Sequence, residues 1–280
     1  MRDSLEPEDL RRIAVRVASE AAALLRDHAC IDSYSARVQG ETIVADKVSE
    51  EYIIDALRYE GLRLVGVSEE RGFFEVNGGG GLRAVIDPLD GSNNYALCIP
   101  WASVSIAFTY GEKLRDVVAG AVVPVFELEP FSFAIGKGCF YGGRRVDSRS
   151  VIRGDQRQSR TVVVYLDEDK PEVAVNLLSA IRSHLGAVKV RGLGSAALEL
   201  CYTALGRFAV FADLRERLRN VDVAAALGFL REAGGEAYTL KGEPLDSPLD
   251  RVVSLSGVIA SLDLDLARRL GGVVTRVGMR

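Results

Sequence analysis

Histidine is nearly absent: His28 and His184 are the only two in 280 residues. That supply argues against a Ser-His-Asp triad and against a histidine-ligated metal centre. Cysteine is sparse as well. Cys30, Cys98, Cys139 and Cys201 are far apart and form no C-x-x-C pair. Structural zinc is therefore disfavoured and buried thiols are the default, with a disulfide left open. No apolar run reaches the ~18 residues that a membrane span needs. Residues 1–12 are charged, with no apolar core of a secretory signal, so a cytoplasmic protein is expected. A net charge of −4 leaves no basic footprint for nucleic acid. Asn and Gln are scarce and Arg far outnumbers Lys, a bias shared by thermophile proteins and GC-rich coding.

What is present is a globular composition, 48% hydrophobic and 26% charged, in a chain long enough for one large domain or two ordinary ones. Helical spacing of Ile13, Val17, Ala21, Leu24 and Leu25 predicts a scaffold helix over 8–29, followed by a loop over 30–41. A second helix is expected over 46–59, then strands over 62–67 and 83–86. Segments 101–110, 116–126 and 131–135 read as an antiparallel meander. The polar stretch 148–158 is the best boundary between halves, dividing the chain into 1–154 and 155–280. Beyond it strands (161–166, 187–190, 208–212, 236–239, 252–255) alternate with helices (172–185, 195–205, 221–233, 265–270), which argues for α/β layering.

The chemistry centres on Ile86-Asp87-Pro88-Leu89-Asp90-Gly91-Ser92-Asn93-Asn94. Two carboxylates three residues apart end an apolar strand. The turn after them offers a hydroxyl and backbone N–H groups. Carboxylate oxygens hold hard cations, and N–H groups at a helix start accept anions. Upstream, the strand at 62–67 ends in Ser68-Glu69-Glu70, and a Gly-rich excursion (77–81) separates this pair from Asp87, so that paired strands can set Glu69 beside Asp87. Asp46 reads either as the N-cap of its helix or, with Glu50, as a residue facing the site. Arg191-Gly192-Leu193-Gly194-Ser195-Ala196-Ala197 joins a strand to a helix but is no dinucleotide fingerprint, since Ala197 fills the third Gly place. Asn220-Val221-Asp222-Val223-Ala224-Ala225-Ala226 starts a helix with small residues and one carboxylate, which alone reads as a cap.

Taken together, D-P-L-D-G-S-x-N, the Glu69-Glu70 pair, the G-S-A turn and the V-D-V-A-A…E-A-G-G run resemble the signatures of the inositol monophosphatase superfamily, from the first helix to about Gly235. Arg191 and the D-x-R at Asp213 to Arg215 resemble its archaeal-type members. This chain has Ser92 where the family commonly has Thr, Val221 where it has Trp, and Ile43 where it often has Lys. The resemblance implies an α+β fold, the layered α/β/α/β/α sandwich of the inositol monophosphatase and fructose-1,6-bisphosphatase type. It implies an N-terminal metal-binding half and a C-terminal half completing the substrate site. It also implies two or three Mg²⁺ ions on Glu69, Asp87, Asp90, Asp222 and the carbonyl of Leu89. Asp46, Glu70 and Ser92 would act on the attacking water; Asp90, Gly91, Ser92, Arg191, Ala196 and Arg215 would contact substrate. The implied reaction is Mg²⁺-dependent hydrolysis of fructose 1,6-bisphosphate and inositol 1-phosphate by metal-activated water, in a homodimer whose partner is a small sugar or inositol phosphate. The rivals are a 3′(2′),5′-bisphosphate nucleotidase, a histidinol-phosphate phosphatase, or a catalytically silent sugar-phosphate-binding protein on the same scaffold.

Overall fold

A computed structural model describes residues 5–39, 42–146 and 159–277. Helix α1 (Pro7–Asp27) begins with Pro at its first position and Glu8 and Asp9 in its first turn, both favourable at a helix N-terminus. It buries Leu10, Ala14, Val17, Ala18, Ala21 and Leu25 along one face. The stretch expected as loop holds a helical turn, α2 (Asp32–Ser35), and a strand, β1 (Arg37–Gln39), paired with β2 (Thr42–Ile43). Helix α3 (Val44–Tyr59) starts two residues earlier than its apolar pattern predicts.

A large mixed sheet follows. Its strands are β3 (Leu64–Ser68), β4 (Gly72–Val76), β5 (Leu82–Asp90), β6 (Ser103–Thr109), β7 (Val117–Pro124), β8 (Phe131–Ala134), β9 (Gly138–Tyr141) and β10 (Arg144–Arg145), in spatial order β10-β9-β8-β7-β6-β5-β3-β4. The expected meander is β6 to β8. β3 and β5 run parallel. Short α4 (Ser92–Ala96) follows β5. The second sheet takes β11 (Thr161–Tyr165), β12 (Lys189–Arg191), β13 (Val210–Asp213), β14 (Glu236–Tyr238) and β15 (Val258–Ser261) in the order β12-β11-β13-β15-β14. Between these strands run α5 (Pro171–Leu185), α6 (Ala196–Ala204) and α7 (Asn220–Glu232), and α8 (Leu264–Val277) closes the fold.

Three buried clusters define the layers. One joins α1 and α3 to the outer face of the large sheet, with Leu10, Leu25, Ile53, Ile86 and Phe108 fully buried. The second lies between the sheets and surrounds α6 and α7, with Phe131, Phe133, Phe211 and Phe229. The third packs α5 and α8 on the far face of the small sheet. Helices, sheet, helices, sheet and helices alternate, the expected α/β/α/β/α sandwich. The buried run Asn220 to Leu230 explains why α7 is rich in small residues: a helix with a sheet on each side needs a thin waist. At Gly228 a Cβ would come within 2.0 Å of the Phe133 ring.

Two expectations fail here. No strand forms over 252–255, because that backbone serves the start of α7: Val253 O accepts from Asn220 N (2.9 Å) and Leu255 N donates to Leu218 O (2.7 Å). Val258–Ser261 takes the place in the sheet. The thiols also divide: Cys139 and Cys201 are buried and free, whereas Cys30 and Cys98 form a disulfide with Cα atoms 5.3 Å apart. The boundary stretch 148–158 and the division at residue 154 lie outside the described residues.

Candidate active site

Strands β3 and β5 are paired in parallel, Ser68 opposite Ile86, so Glu69 and Asp87 emerge together at their ends. β5 is then interrupted. Its register against β6 shifts between Asp87 and Asp90, which puts Pro88 and Leu89 in a bulge. Ser49 of α3 donates to Pro88 O (2.7 Å) and fixes the bulge. Opposite, the first turn of α7 brings in Asp222 from the C-terminal half. One oxygen each of Glu69, Asp87 and Asp222 lies within 4.8 Å of the others. Asp222 is the third helical residue, not the cap; its Oδ2 accepts from Arg219 N (2.8 Å).

These three carboxylates sit in a cavity of about 600 Å³ that is also lined by Thr42, Asp46, Glu70, Leu89, Asp90, Gly91, Ser92, Arg217 and Arg219. Burial drives the titration of the whole group. Asp87 stands well above the ordinary carboxylate range, through burial and the facing Glu69. Glu69 and Asp222 are raised by burial and drawn back by Arg219. Asp46, at the third position of α3, accepts from Ile43 N (2.7 Å). Burial, then Glu69 and Glu70, push it to about 8 against that hydrogen bond. Glu70 accepts from Thr42 Oγ1 (2.6 Å). Glu50 is buried and turned elsewhere, accepting from Arg71 N (2.9 Å).

Asp90 lines the cavity but has its own partners. Ser195 Oγ donates to it, as do Ala197 N (2.9 Å), Ala196 N (3.1 Å) and Ser103 Oγ (3.3 Å). It anchors the N-terminus of α6, and its carboxyl is pushed to about 7 by burial, against the Ser195 hydrogen bond. Gly91 turns the chain at φ 88°; a Cβ there would lie 3.0 Å from both Gly194 O and Trp101 O. Its neighbour Asn94 donates to Leu193 O (2.7 Å) and Trp101 O (2.8 Å). The G-S-A turn is thus stitched to the D-G-S turn.

Three residues read from the sequence as substrate contacts stand outside the cavity lining. Ala196 spends its N–H on Asp90. Arg191 is exposed on edge strand β12 and donates to Val190 O (2.8 Å). Arg215 pairs with buried Asp213 and stacks over the Tyr165 ring at 4.1 Å. The sequence reading passed over Thr42, Arg217, Arg219 and the buried Glu199. The signal for the cations was the alternation Arg215, Arg217, Arg219 just ahead of Asp222. Glu199 accepts from Tyr165 Oη and from Leu193 N (2.6 Å each).

The donor set suits a hard divalent cation: all oxygen, largely buried, and drawn from two halves of the chain. Asp222 Oδ1 is buried and makes no hydrogen bond, its near contact being the charge of Arg219 Nε at 3.2 Å, so its acceptor capacity is left for a ligand. Known proteins match this construction. The model of the inositol monophosphatase family matches residues 6–272. An inositol-1-monophosphatase of Aeropyrum pernix is 47% identical over 268 residues, covering 94% of this chain and 97% of that one. A fructose-1,6-bisphosphatase/inositol-1-monophosphatase of Archaeoglobus fulgidus is 33% identical over 206 residues, covering 73% and 72%. A solved structure from Pyrococcus horikoshii, described as similar to inositol-1 monophosphatase, superposes with a TM-score of 0.77 at 25% identity, covering 95% of this chain and 98% of that one. A layered sandwich with a carboxylate cluster where its two sheets meet defines a metal-dependent phosphatase class. Within that class, the chain belongs to the inositol monophosphatase family, hydrolases of phosphate monoesters that act on small molecules. No helix among the described residues is long and apolar enough to cross a membrane.

Proposed function

We propose that the chain is a Mg²⁺-dependent phosphomonoesterase that hydrolyses both inositol 1-phosphate and fructose 1,6-bisphosphate. The observation that carries this reading is the convergence of Glu69, Asp87 and Asp222 to within 4.8 Å at a cavity of about 600 Å³. A cavity of that size accepts a phosphorylated sugar or cyclitol. The names of the relatives from Aeropyrum and Archaeoglobus support the two substrates.

Glu69, Asp87 and Asp222 would hold Mg²⁺, with the carbonyl of Leu89, which lies in the bulge, and Asp90 beside them. Bound there, Mg²⁺ supplies charge to the phosphoryl oxygens and acidifies an attacking water. The protein supplies position and proton handling. Glu70, fixed by Thr42, and Asp46, fixed by Ile43 N, flank the cluster and orient the water. Gly91 and Ser92, which line the cavity at the turn, would face the phosphate, and the Ser92 hydroxyl would help to orient the water. Arg215 and Arg191 bind the far end of a longer substrate once released from their present partners.

The test is inorganic phosphate release from inositol 1-phosphate and fructose 1,6-bisphosphate as Mg²⁺ is titrated. Turnover of both supports the reading. Turnover of only a 3′,5′-nucleotide bisphosphate would replace it with the nucleotidase alternative, and substrate binding without turnover would replace it with the silent binding protein.

A further inference from the structure

The cavity wall contains a cation that the phosphatase reading leaves without a task. Arg219 lies immediately before α7. Its Nη2 donates to Glu69 Oε1, and its Nε lies 3.2 Å from Asp222 Oδ1. One guanidinium therefore bridges two of the three carboxylates of the cluster, one from each half of the chain.

A buried arginine can be a permanent strut, and this chain contains one for comparison. Arg231 pairs with Glu236 and also donates to Leu114 O (2.8 Å) and Leu245 O (3.3 Å). Backbone acceptors lock that guanidinium whatever else binds, and its side chain is 18% exposed. Arg219 differs on both counts. The side-chain contacts of Arg219 are with the carboxylates of the cluster, and its side chain is 34% exposed, facing the cavity beside Arg217. It is held by the same oxygens that suit a divalent cation, and it has open space to move into.

We propose that Arg219 is an exchangeable counter-ion. Its guanidinium holds Glu69 and Asp222 together across the cluster, gives them up to the entering divalent cation, and turns into the cavity to pair with the phosphate of the substrate. The inference rests on the reading of Glu69, Asp87 and Asp222 as a cation site. Charge sets its sign: a fixed positive group in direct contact with the ligand oxygens repels a divalent cation, so the wild-type chain binds metal more weakly than its carboxylates alone would allow. The same guanidinium, once displaced, offers a forked donor that fits phosphate oxygens.

The experiment measures Mn²⁺ binding by electron paramagnetic resonance to the full substrate-free chain, for wild type, Arg219→Gln and Arg219→Lys, with thermal unfolding alongside. Arg219→Gln is expected to bind Mn²⁺ at least tenfold more tightly. Arg219→Lys, which keeps the charge but cannot bridge both carboxylates, is expected to lie between, and it carries the test if the Gln variant does not fold. Steady-state kinetics should show KM for inositol 1-phosphate raised about tenfold in Arg219→Gln, with kcat changed less. Unchanged or weaker Mn²⁺ binding in the folded variants overturns the inference and leaves the cation site standing. No Mn²⁺ binding by wild type overturns both.

Discussion

Asp87 takes its electrostatic character from what the fold packs around it. Buried, facing Glu69 and drawn from a bulged strand, it is raised well above the ordinary carboxylate range, first by burial and then by Glu69. Replacing it with Asn removes a charged oxygen from the centre of the cluster. Outer partners of metal ligands already cost 10–100-fold when removed, so Asp87→Asn should lower phosphate release more than about a hundredfold. Glu199 gives a prediction of a different kind. Burial raises its carboxyl to about 7, against the Tyr165 hydrogen bond. A carboxyl with a folded-state pKa above its unfolded value of 4.5 stabilises fully below that value, and the contribution is lost as pH rises through about 7. Glu199→Gln should therefore flatten the dependence of unfolding free energy on pH between about 4.5 and 7 in denaturant titrations. Residue identities were legible where they sat in unbroken strings, as Asp87 to Asn94 did. Glu199 was not, because its meaning comes from Tyr165 and Leu193, which only the fold brings to it.

Among the elements, α7 links packing to chemistry most directly. Its small residues let it lie between the sheets, and only from there does Asp222 reach Glu69. Gly228→Ala gains ~0.5–1 kcal/mol of helix propensity. It also drives a methyl group into the Phe133 ring, and such overpacking costs ~1–3 kcal/mol. The packing cost is the larger, so chemical denaturation should report a net loss of about 1–2 kcal/mol. Element type was readable for α1, α7 and the β6 to β8 meander, where apolar spacing or β-branched runs are continuous. It failed at 252–255, four residues that look like a strand but whose backbone groups serve the start of α7. The β1–β2 pair escaped because strands of three and two residues leave no period to read.

At the scale of the whole molecule, the site is a seam. Glu69 follows β3 and Asp87 and Asp90 lie on β5 of the large sheet; Asp222, Arg217 and Arg219 come from the loop and helix that follow β13 of the small one. A ligand that joins these walls must stabilise the fold as a whole. Mg²⁺ should stabilise the native state by ~2.7 kcal/mol at a hundred times its Kd, as any ligand of the native state does, and so raise the unfolding temperature with concentration. Asp87→Asn should remove most of that rise. The layered architecture was legible through resemblance and only partly through pattern, which reached an antiparallel first half and an α/β second half. The sandwiching of α6 and α7 between the sheets is a long-range fact that no local window contains.

The central claim is that the carboxylates gathered at this seam carry Mg²⁺-dependent phosphate ester hydrolysis. The direct test is phosphate release from inositol 1-phosphate over a Mg²⁺ titration, with a chelator control and Asp87→Asn in parallel. Release that rises with Mg²⁺, stops with the chelator and is lost in the variant is the expected result. Release that persists in Asp87→Asn, or that ignores the chelator, would contradict it.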